Sequence, residues 1–215
     1  RENTIPLPDD AEDKVIEAME RLAPELDAVL ICDYEEVPGT AGASPRALRR
    51  LLDLARQHGI VLAADSRMRI GALGPVDIAK PNDLEAAAAA GMADFGHRGD
   101  IPENVVLEAG RRLLDQAGIR HVVLTRGEHG MLVFERGGRV TAVPTIPPQG
   151  QIDVTGAGDT ALAALALGFA AGLPIARCAG LANLAAHVTI HKLNTTGTAT
   201  PQELLDAYDR TASLW

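Results

Sequence analysis

The sequence predicts an α/β fold in which a mostly parallel central sheet is covered by helices on both faces, a three-layer α/β/α sandwich. Three observations predict it. Short, continuous apolar runs alternate along the chain with longer segments of helical periodicity. The connections between them are short. Polar or charged residues directly follow several of the apolar runs, as at the carboxyl ends of buried parallel strands, where ligands gather in such sheets.

The first half of the chain begins with a helix and then alternates strands with helices. Apolar residues recur at helical spacing after Asp9 and Asp10, and this helix is expected to end near Ala23. Ser44 can cap the next helix, with Pro45 at its first position. The predicted elements are helix 9–23, strand 28–32, helix 45–58, strands 60–64 and 76–79, and helix 82–90.

The second half adds a strand, a hairpin and four helices. Gly137 and Gly138 separate two apolar runs and predict the hairpin turn. The elements are helix 102–116, strand 121–125, hairpin strands 131–134 and 139–143, and helices 157–171, 174–190 and 201–212. Residues 1–215 are predicted to form a single domain. Because Arg1-Glu2-Asn3 lead directly into a turn and a helix, we expect the domain to be incomplete at its N-terminus.

Composition excludes several classes of protein. The net charge of −9 argues against a nucleic-acid surface. No apolar run approaches the roughly 18 residues of a membrane span. Cys32 and Cys178 both lie inside apolar runs, so we expect two buried free thiols and a reducing, cytoplasmic location.

The segment from Asp153 to Asp159 has the parts that phosphoryl transfer needs. The backbone N–H groups of Gly156, Ala157 and Gly158 can point at an anion, and the positive end of the following helix faces the same place. Asp159, in the first helical turn, can take a proton from an attacking hydroxyl. A carboxylate there is also stabilised by the helix dipole alone, so this pattern by itself leaves a purely structural role open.

Three further segments have both a structural and a functional interpretation. Asn82 to Glu85 is an N-x-x-E arrangement, which is common helix-capping chemistry. Thr125 to Gly130 follows a strand and contains two glycines, which is consistent with a simple turn or with close approach to a ligand. Asn183 lies in an alanine-rich helix, where an asparagine usually binds a neighbouring backbone group.

The segment 153–166 resembles the C-terminal signature of the PfkB/ribokinase family of carbohydrate and nucleoside kinases. The resemblance implies a ribokinase-like fold whose N-terminal strands and lid lie outside this chain. It implies an ATP-dependent kinase acting on a hydroxyl of a small sugar or sugar-like substrate, and it allows a homodimer through the lid. Asp159 would be the catalytic base, the three amides of the turn the anion hole, and Asp33 and Lys80 substrate contacts.

The resemblance also implies where the nucleotide and the ions bind. Glu85 would act on Mg²⁺ through water, and Asn82 would donate to a phosphate oxygen. Asp153 and Thr155, with carbonyls of loop 192–198, could hold a monovalent cation such as K⁺. The nucleotide would be contacted by Thr125, Arg126, Gly127, Gly130 and Asn183.

Within the family, segments 1–3 and 32–34 resemble the heptose-phosphate kinase branch. That branch carries a basic residue and a glycine soon after the Asp-Tyr pair, whereas positions 35–37 here hold Glu, Glu and Val. Two acidic side chains would repel a sugar phosphate, so we favour an unphosphorylated sugar or polyol. Lys80 and Arg67, as donors, keep a phosphorylated substrate open.

Two alternatives remain at this level. The first is a nucleoside or vitamin kinase on the same fold, although pyridoxal-type relatives favour Gly-Thr-Gly-Asp and this chain has Ala157. The second is a non-catalytic nucleotide- or sugar-binding homologue. Asp159 and Glu85 argue against it, because a decayed site is expected to lose one of them.

Overall fold

The computed structural model describes residues 8–34, 44–92, 101–116 and 118–211. The helices are α1 (Asp9–Leu22), α2 (Pro45–His58), α3 (Asp83–Ala89), α4 (Glu103–Gln116), α5 (Ala157–Ala170), α6 (Ile175–Ile190) and α7 (Pro201–Thr211). The strands are β1 (Ala28–Asp33), β2 (Val61–Ser66), β3 (Ile78–Ala79), β4 (His121–Thr125), β5 (Met131–Glu135) and β6 (Val140–Val143). Each helix and strand that the sequence predicted is present, with ends that differ by a few residues.

The six strands form one sheet in chain order, β1 to β6. The β1–β2, β2–β3 and β3–β4 pairs are parallel, and the β4–β5 and β5–β6 pairs are antiparallel. The predicted hairpin is β5–β6. Because the first four strands run in the same direction, their carboxyl ends lie along one edge of the sheet. β1 and β2 end later than predicted, so Asp33 and Asp65 do not follow their strands as expected: Asp33 is the last residue of β1 and Asp65 lies inside β2.

Two apolar cores lie on opposite faces of the sheet. In β4, Val122 and Leu124 belong to the core that contains α2, α3 and α4, whereas Val123 belongs to the core under α5 and α6. This alternation follows from the two-residue period of a strand. Helix α7 packs outside α6 through Ala207 and Leu184. The expectation of helices on both faces is confirmed.

Local signals explain where the helices begin and end. The Ser44 side chain accepts a hydrogen bond from the N–H of Ala47 at 3.0 Å, as an N-cap residue does, and Gly59 closes α2 in the left-handed conformation with φ of 72°. Asn82 and Glu85 form a complete capping box at the start of α3. Within the described residues, the helices are too short or too polar to cross a membrane.

The prediction of two buried thiols is half wrong. Cys178 is buried between α5 and α6, but Cys32 is exposed. β1 is the edge strand of the sheet, and on this side of it Ala28 packs against the core beneath α5 whereas Leu30 and Cys32 do not. An apolar run therefore identified a strand correctly without showing that both of its faces are covered.

Candidate active site

The turn before α5 is shaped for an anion. Gly156 has φ of 78°, and a Cβ at this position would lie 2.7 Å from Thr196 Cγ2, so only glycine fits without a shift. No side chain caps α5 within the described residues, which leaves its N-terminal amide groups for a ligand. The N–H of Ala157 donates to the carbonyl of Val154 at 3.1 Å. Of the three amides that the sequence predicted for the anion hole, this one is already used by the turn.

Lys80 lies beside this turn. Its side chain is 4% exposed, and its Nζ is 2.7 Å from Asp65 Oδ2. A Cβ built on Gly158 would be 3.5 Å from the same Nζ. Burying an ammonium group is costly unless it is paired, and Asp65 supplies the partner. The ammonium end of the pair lies next to Gly158, at the N-terminus of α5, where the helix dipole also favours an anion.

Asp159 extends from the first turn of α5 with an exposed side chain. Its Oδ1 accepts a hydrogen bond from the phenol of Tyr34, a residue that the sequence analysis did not single out. This bond to a carboxylate raises the pKa of the Tyr34 phenol above its ordinary range, with burial as a second cause. The guanidinium carbon of Arg67 lies 5.5 Å from the centre of the Tyr34 ring. In the sequence, Tyr34 appeared only as part of segment 32–34, which resembles the heptose-phosphate kinase branch.

The carboxylate of Asp33 is bound by two neighbouring side chains. Its fully buried carboxylate accepts hydrogen bonds from Ser66 Oγ at 2.8 Å and from Arg69 Nε at 2.9 Å. It shares a face of β1 with Ile31, which belongs to the core of α2–α4, and not with Cys32. A substrate contact by Asp33 stays a prediction that would require its carboxylate to leave Arg69.

Asn82 and Glu85 cap helix α3 and still leave a carboxylate oxygen for a ligand. Asn82 Oδ1 accepts from the N–H of Glu85 at 2.8 Å, and Glu85 Oε2 accepts from the N–H of Asn82 at the same distance. The box therefore uses one carboxylate oxygen of Glu85. Burial, and next to it the charge of Asp65, raise the pKa of Glu85 against the lowering effect of this hydrogen bond. A cation nearby would favour the ionised form.

The carboxylates at this edge of the sheet fit one particular mode of magnesium binding. Within the described ranges, no group of three or more His, Cys, Asp or Glu side chains is arranged to hold a metal. Mg²⁺ usually keeps several waters and binds one or two carboxylates together with substrate phosphates. Glu85 and Asp65, on one side of the anion turn, suit that mode and not an all-protein site.

A cavity of about 360 Å³ opens on the other side of the anion turn. Its wall includes six of the residues that the sequence analysis placed at the anion hole or nucleotide, namely Thr125, Gly127, Gly130, Ala157, Gly158 and Asn183. The amide nitrogen of Asn183 donates to the carbonyl of Pro144 at 2.8 Å, so this residue satisfies the backbone as well as lining the cavity. His187, which sequence reasoning missed, also lines it. Burial lowers the pKa of this imidazole.

The segment after β4 is held close to the hairpin. Gly130 has φ of 78°, and a Cβ there would lie 2.2 Å from the carbonyl oxygen of Val143. Arg126 pairs with Glu103 at 3.2 Å, at the start of α4, and is absent from the wall of the cavity. Its buried Nε lacks a hydrogen-bond partner among the described residues. A phosphate contact by Arg126 stays a prediction.

Asp153 joins the anion turn to the loop after α6. Its two carboxylate oxygens accept from the N–H groups of Thr155 at 3.0 Å and Asn194 at 3.1 Å. Hydrogen bonds from the side chain and then the N–H of Thr155, together with that of Asn194, hold its pKa below the ordinary value. Asn194 has φ of 58°, in the left-handed region. This arrangement keeps an ionised oxygen ligand beside the loop predicted to hold a monovalent cation.

Comparison with known proteins identifies the family of this chain. The family described as "pfkB family carbohydrate kinase" matches residues 5–203 of this chain. The chain belongs to the pfkB family. Among relatives of this pfkB chain, the bifunctional protein HldE of Pelobacter propionicus is 33% identical over 208 residues, covering 96% of this chain and 40% of the relative. HldE of Geobacter sulfurreducens is 34% identical over 206 residues, with 95% and 40% covered. The pfkB chain thus spans about 40% of the length of these relatives.

Solved structures share the fold of this pfkB chain. Phosphofructokinase-2 from Escherichia coli in complex with potassium has a TM-score of 0.75 at 20% identity, covering 96% of this chain and 64% of that one. Ribokinase from Arabidopsis thaliana, complexed with ribose and ATP, has a TM-score of 0.69 at 20% identity, covering 94% and 59%. The expected family, its nearness to the heptose-phosphate kinase branch and the ribokinase-like α/β fold are confirmed.

Proposed function

We propose that this pfkB chain is an ATP-dependent kinase domain that phosphorylates a hydroxyl of a small sugar. One observation carries the proposal: Asp159 and the Lys80 ammonium both lie at the uncapped start of α5, beside a cavity large enough for part of a nucleotide. A base, an anion site and a nucleotide cavity are the parts that phosphoryl transfer requires, because its catalysis is mostly positioning and electrostatic stabilisation.

The proposal gives each of these groups a role. Asp159 takes the proton of the acceptor hydroxyl, whose oxygen attacks the γ-phosphorus of ATP while the bond to the β–γ bridging oxygen breaks and ADP leaves. The N–H groups of Gly156 and Gly158, together with Lys80, stabilise the negative charge on the transferred group. The cavity lined by Asn183 and His187 receives the nucleoside part.

The ions have separate places in this proposal. Mg²⁺, when bound, neutralises charge on the ATP phosphates, and Glu85 would hold it through water beside Asp65. A monovalent cation would lie at Asp153 and Thr155. The potassium complex is one of the E. coli phosphofructokinase-2, and it supports this second site only by analogy. The expected homodimer and cytoplasmic location stay predictions.

The fold alone does not decide whether the acceptor sugar carries a phosphate. One solved relative of this fold carries fructose-6-phosphate and another carries ribose, so the fold accommodates acceptors with and without a phosphate. Glu35, Glu36 and Val37, on which the preference for an unphosphorylated sugar rests, lie outside the described residues. Lys80, one of the two donors considered for a sugar phosphate, is paired with Asp65 beneath the anion turn. We keep the unphosphorylated sugar as the proposed acceptor.

The test is ADP release with Mg·ATP across ketoses, aldoses, heptose phosphates and nucleosides, using the complete protein and its Asp159→Asn variant as control. Release that requires one sugar, and that the variant lacks, supports the proposal. Release that requires only nucleosides would move the function to the nucleoside kinase alternative. Absence of release with every acceptor, with ATP binding intact, would favour a binding protein.

A further inference from the structure

The backbone next to Tyr34 is anchored by hydrogen bonds of the preceding residue. The buried carboxylate of the preceding residue, Asp33, accepts hydrogen bonds from Ser66, the last residue of β2, and from Arg69, which follows that strand. The carbonyl of Asp33 also accepts from the N–H of Arg67 at 3.3 Å. These bonds tie the end of β1 to the end of β2 and to the residues that follow it, so the backbone entering Tyr34 has little freedom.

The ring of Tyr34 is fixed at its face and at its tip. Arg67 lies over the ring, within the distance of a cation–π contact. The phenol O–H donates to Asp159 Oδ1. A tyrosine has few side-chain rotations, so two such contacts restrict it at low entropic cost. Tyr34 is itself 52% exposed, and these two contacts make it a link between the end of β1 and the carboxylate on α5.

Asp159 is the other partner of this contact. It is exposed in the first turn of its helix, where its side chain can rotate unless something binds it. A general base acts only when a lone pair comes within about 2.6–3.2 Å of the proton that it removes. Tyr34 occupies one carboxylate oxygen, which leaves the other for the acceptor.

We propose that Tyr34 is a positioning residue: its phenol holds Asp159 Oδ1 so that Oδ2 faces the acceptor hydroxyl beside the anion turn. The phenol keeps its own proton throughout, and the acceptor proton goes to Oδ2. This role rests on the proposed kinase function, whereas the Tyr34–Asp159 contact itself does not.

A titration tests the contact without any substrate. Tyr34 and Tyr208 are the two tyrosines of the chain, so Tyr208→Phe leaves Tyr34 as the sole phenol. Its ionisation is followed by ultraviolet absorbance from pH ~8 to ~11, around the ordinary tyrosine pKa of about 10, with circular dichroism to confirm that the protein stays folded. We expect Tyr34 to stay protonated at the alkaline end, and to ionise there once Asp159→Asn is added. Equal ionisation in the two proteins would overturn the contact and the proposal with it.

Kinetics test the positioning role, using whichever acceptor gives ADP release. Tyr34→Phe keeps the ring under Arg67 and removes only the hydroxyl. We expect kcat to fall about tenfold or more while KM for acceptor and ATP stays within about twofold, because only the orientation of the base is lost. In an Asp159→Asn background the same change should have no further effect. Tyr208→Phe, the matched change on α7, should leave both constants unaltered.

Other results would contradict the role. A rise in KM alone, or an effect of Tyr34→Phe that persists in the Asp159→Asn background, would show that the phenol contacts substrate and does not act through Asp159. Increased ATP hydrolysis without acceptor, at unchanged kcat, would show that it merely shields the base. If the wild type turns over no acceptor, the kinase proposal fails and the positioning role fails with it, while the titration still reports whether the contact exists.

Discussion

Asp159 is exposed and yet tied to a residue 125 positions earlier in the chain. Its neighbours, the anion turn and Lys80, are built from backbone amides and one buried ammonium group. At the scale of single residues, the site therefore consists of one exposed carboxylate, that of Asp159, beside backbone amides and a buried ammonium group. Its chemistry should be sensitive to changes that leave the fold intact.

Asp159→Asn removes the base and keeps the shape of the side chain. We expect turnover to fall by about a hundredfold or more, because general base catalysis contributes on that order. Nucleotide affinity should change little, since the cavity wall excludes this side chain. ADP release and ATP binding measured on the same preparation check both parts. Unchanged turnover would remove Asp159 from the role of base.

Gly130 and Gly127 form a matched pair for backbone strain. Both have positive φ, but a Cβ at Gly130 would collide with the carbonyl of Val143, whereas a Cβ at Gly127 meets no atom within 4 Å. We expect Gly127→Ala to lower the free energy of unfolding by about 1–2 kcal/mol, the cost of a left-handed residue with a side chain. Gly130→Ala should cost clearly more. Urea unfolding measures both, and equal losses would contradict the predicted collision.

At the scale of elements, two helices begin with reciprocal capping in different electrostatic surroundings. At α3 the box formed by Asn82 and Glu85 is partly buried, which raises the pKa of the Glu85 carboxyl. At α7 the N–H of Thr200 donates to Glu203 at 2.8 Å, and Lys192 Nζ lies 2.7 Å from the same carboxylate. The second arrangement also fastens the loop after α6 to the start of α7.

The carboxyl of Glu203 should make stability depend on pH. A hydrogen bond from Lys192, followed by those from Thr200, lowers its pKa from 4.5 to about 2. Because the folded state favours the ionised form, this stabilisation is complete above about pH 4.5 and is lost as the pH falls towards about 2. Glu203→Gln should therefore be less stable than the wild type near pH 7 and nearly equal to it near pH ~2.

Urea midpoints across this pH range measure the effect. Lys192→Met removes the main cause of the lowered pKa and should reproduce most of the loss near pH 7. A difference between Glu203→Gln and the wild type that is as large near pH ~2 as near pH 7 would show that the carboxylate charge is not responsible.

At the scale of the whole molecule, one sheet separates two cores, and the helix that carries Asp159 closes one of them. Leu162, on α5, is fully buried in this core, whereas Leu167 on the same helix is 67% exposed. We propose that residues 1–215 behave as a single domain. The position of the anion turn then depends on how well α5 packs against the sheet.

Leu162→Ala and Leu167→Ala test that dependence with the same chemical change on one helix. The first should lower the free energy of unfolding by about 2–5 kcal/mol, because it leaves a cavity in a packed core. The second should change it by less than about 0.5 kcal/mol, as a surface substitution does. Both variants should unfold in one cooperative step if the chain is a single domain. Two separate transitions would contradict the single domain, and similar losses would contradict the assignment of the core.

The sequence by itself determined the order of helices and strands, the caps at Ser44 and Asn82, and the segments that form the anion turn and the cavity wall. These features depend on periodicity and on turn residues, which act over a few neighbouring positions. Only the tertiary structure decided the rest. It decided that Tyr34 binds Asp159 and that Asp33 is paired with Arg69. It also decided that Lys80 lies next to Gly158 and that Cys32 is exposed. Those outcomes depend on which face of a strand a side chain occupies and on which distant element meets it there, and neither is encoded by local spacing.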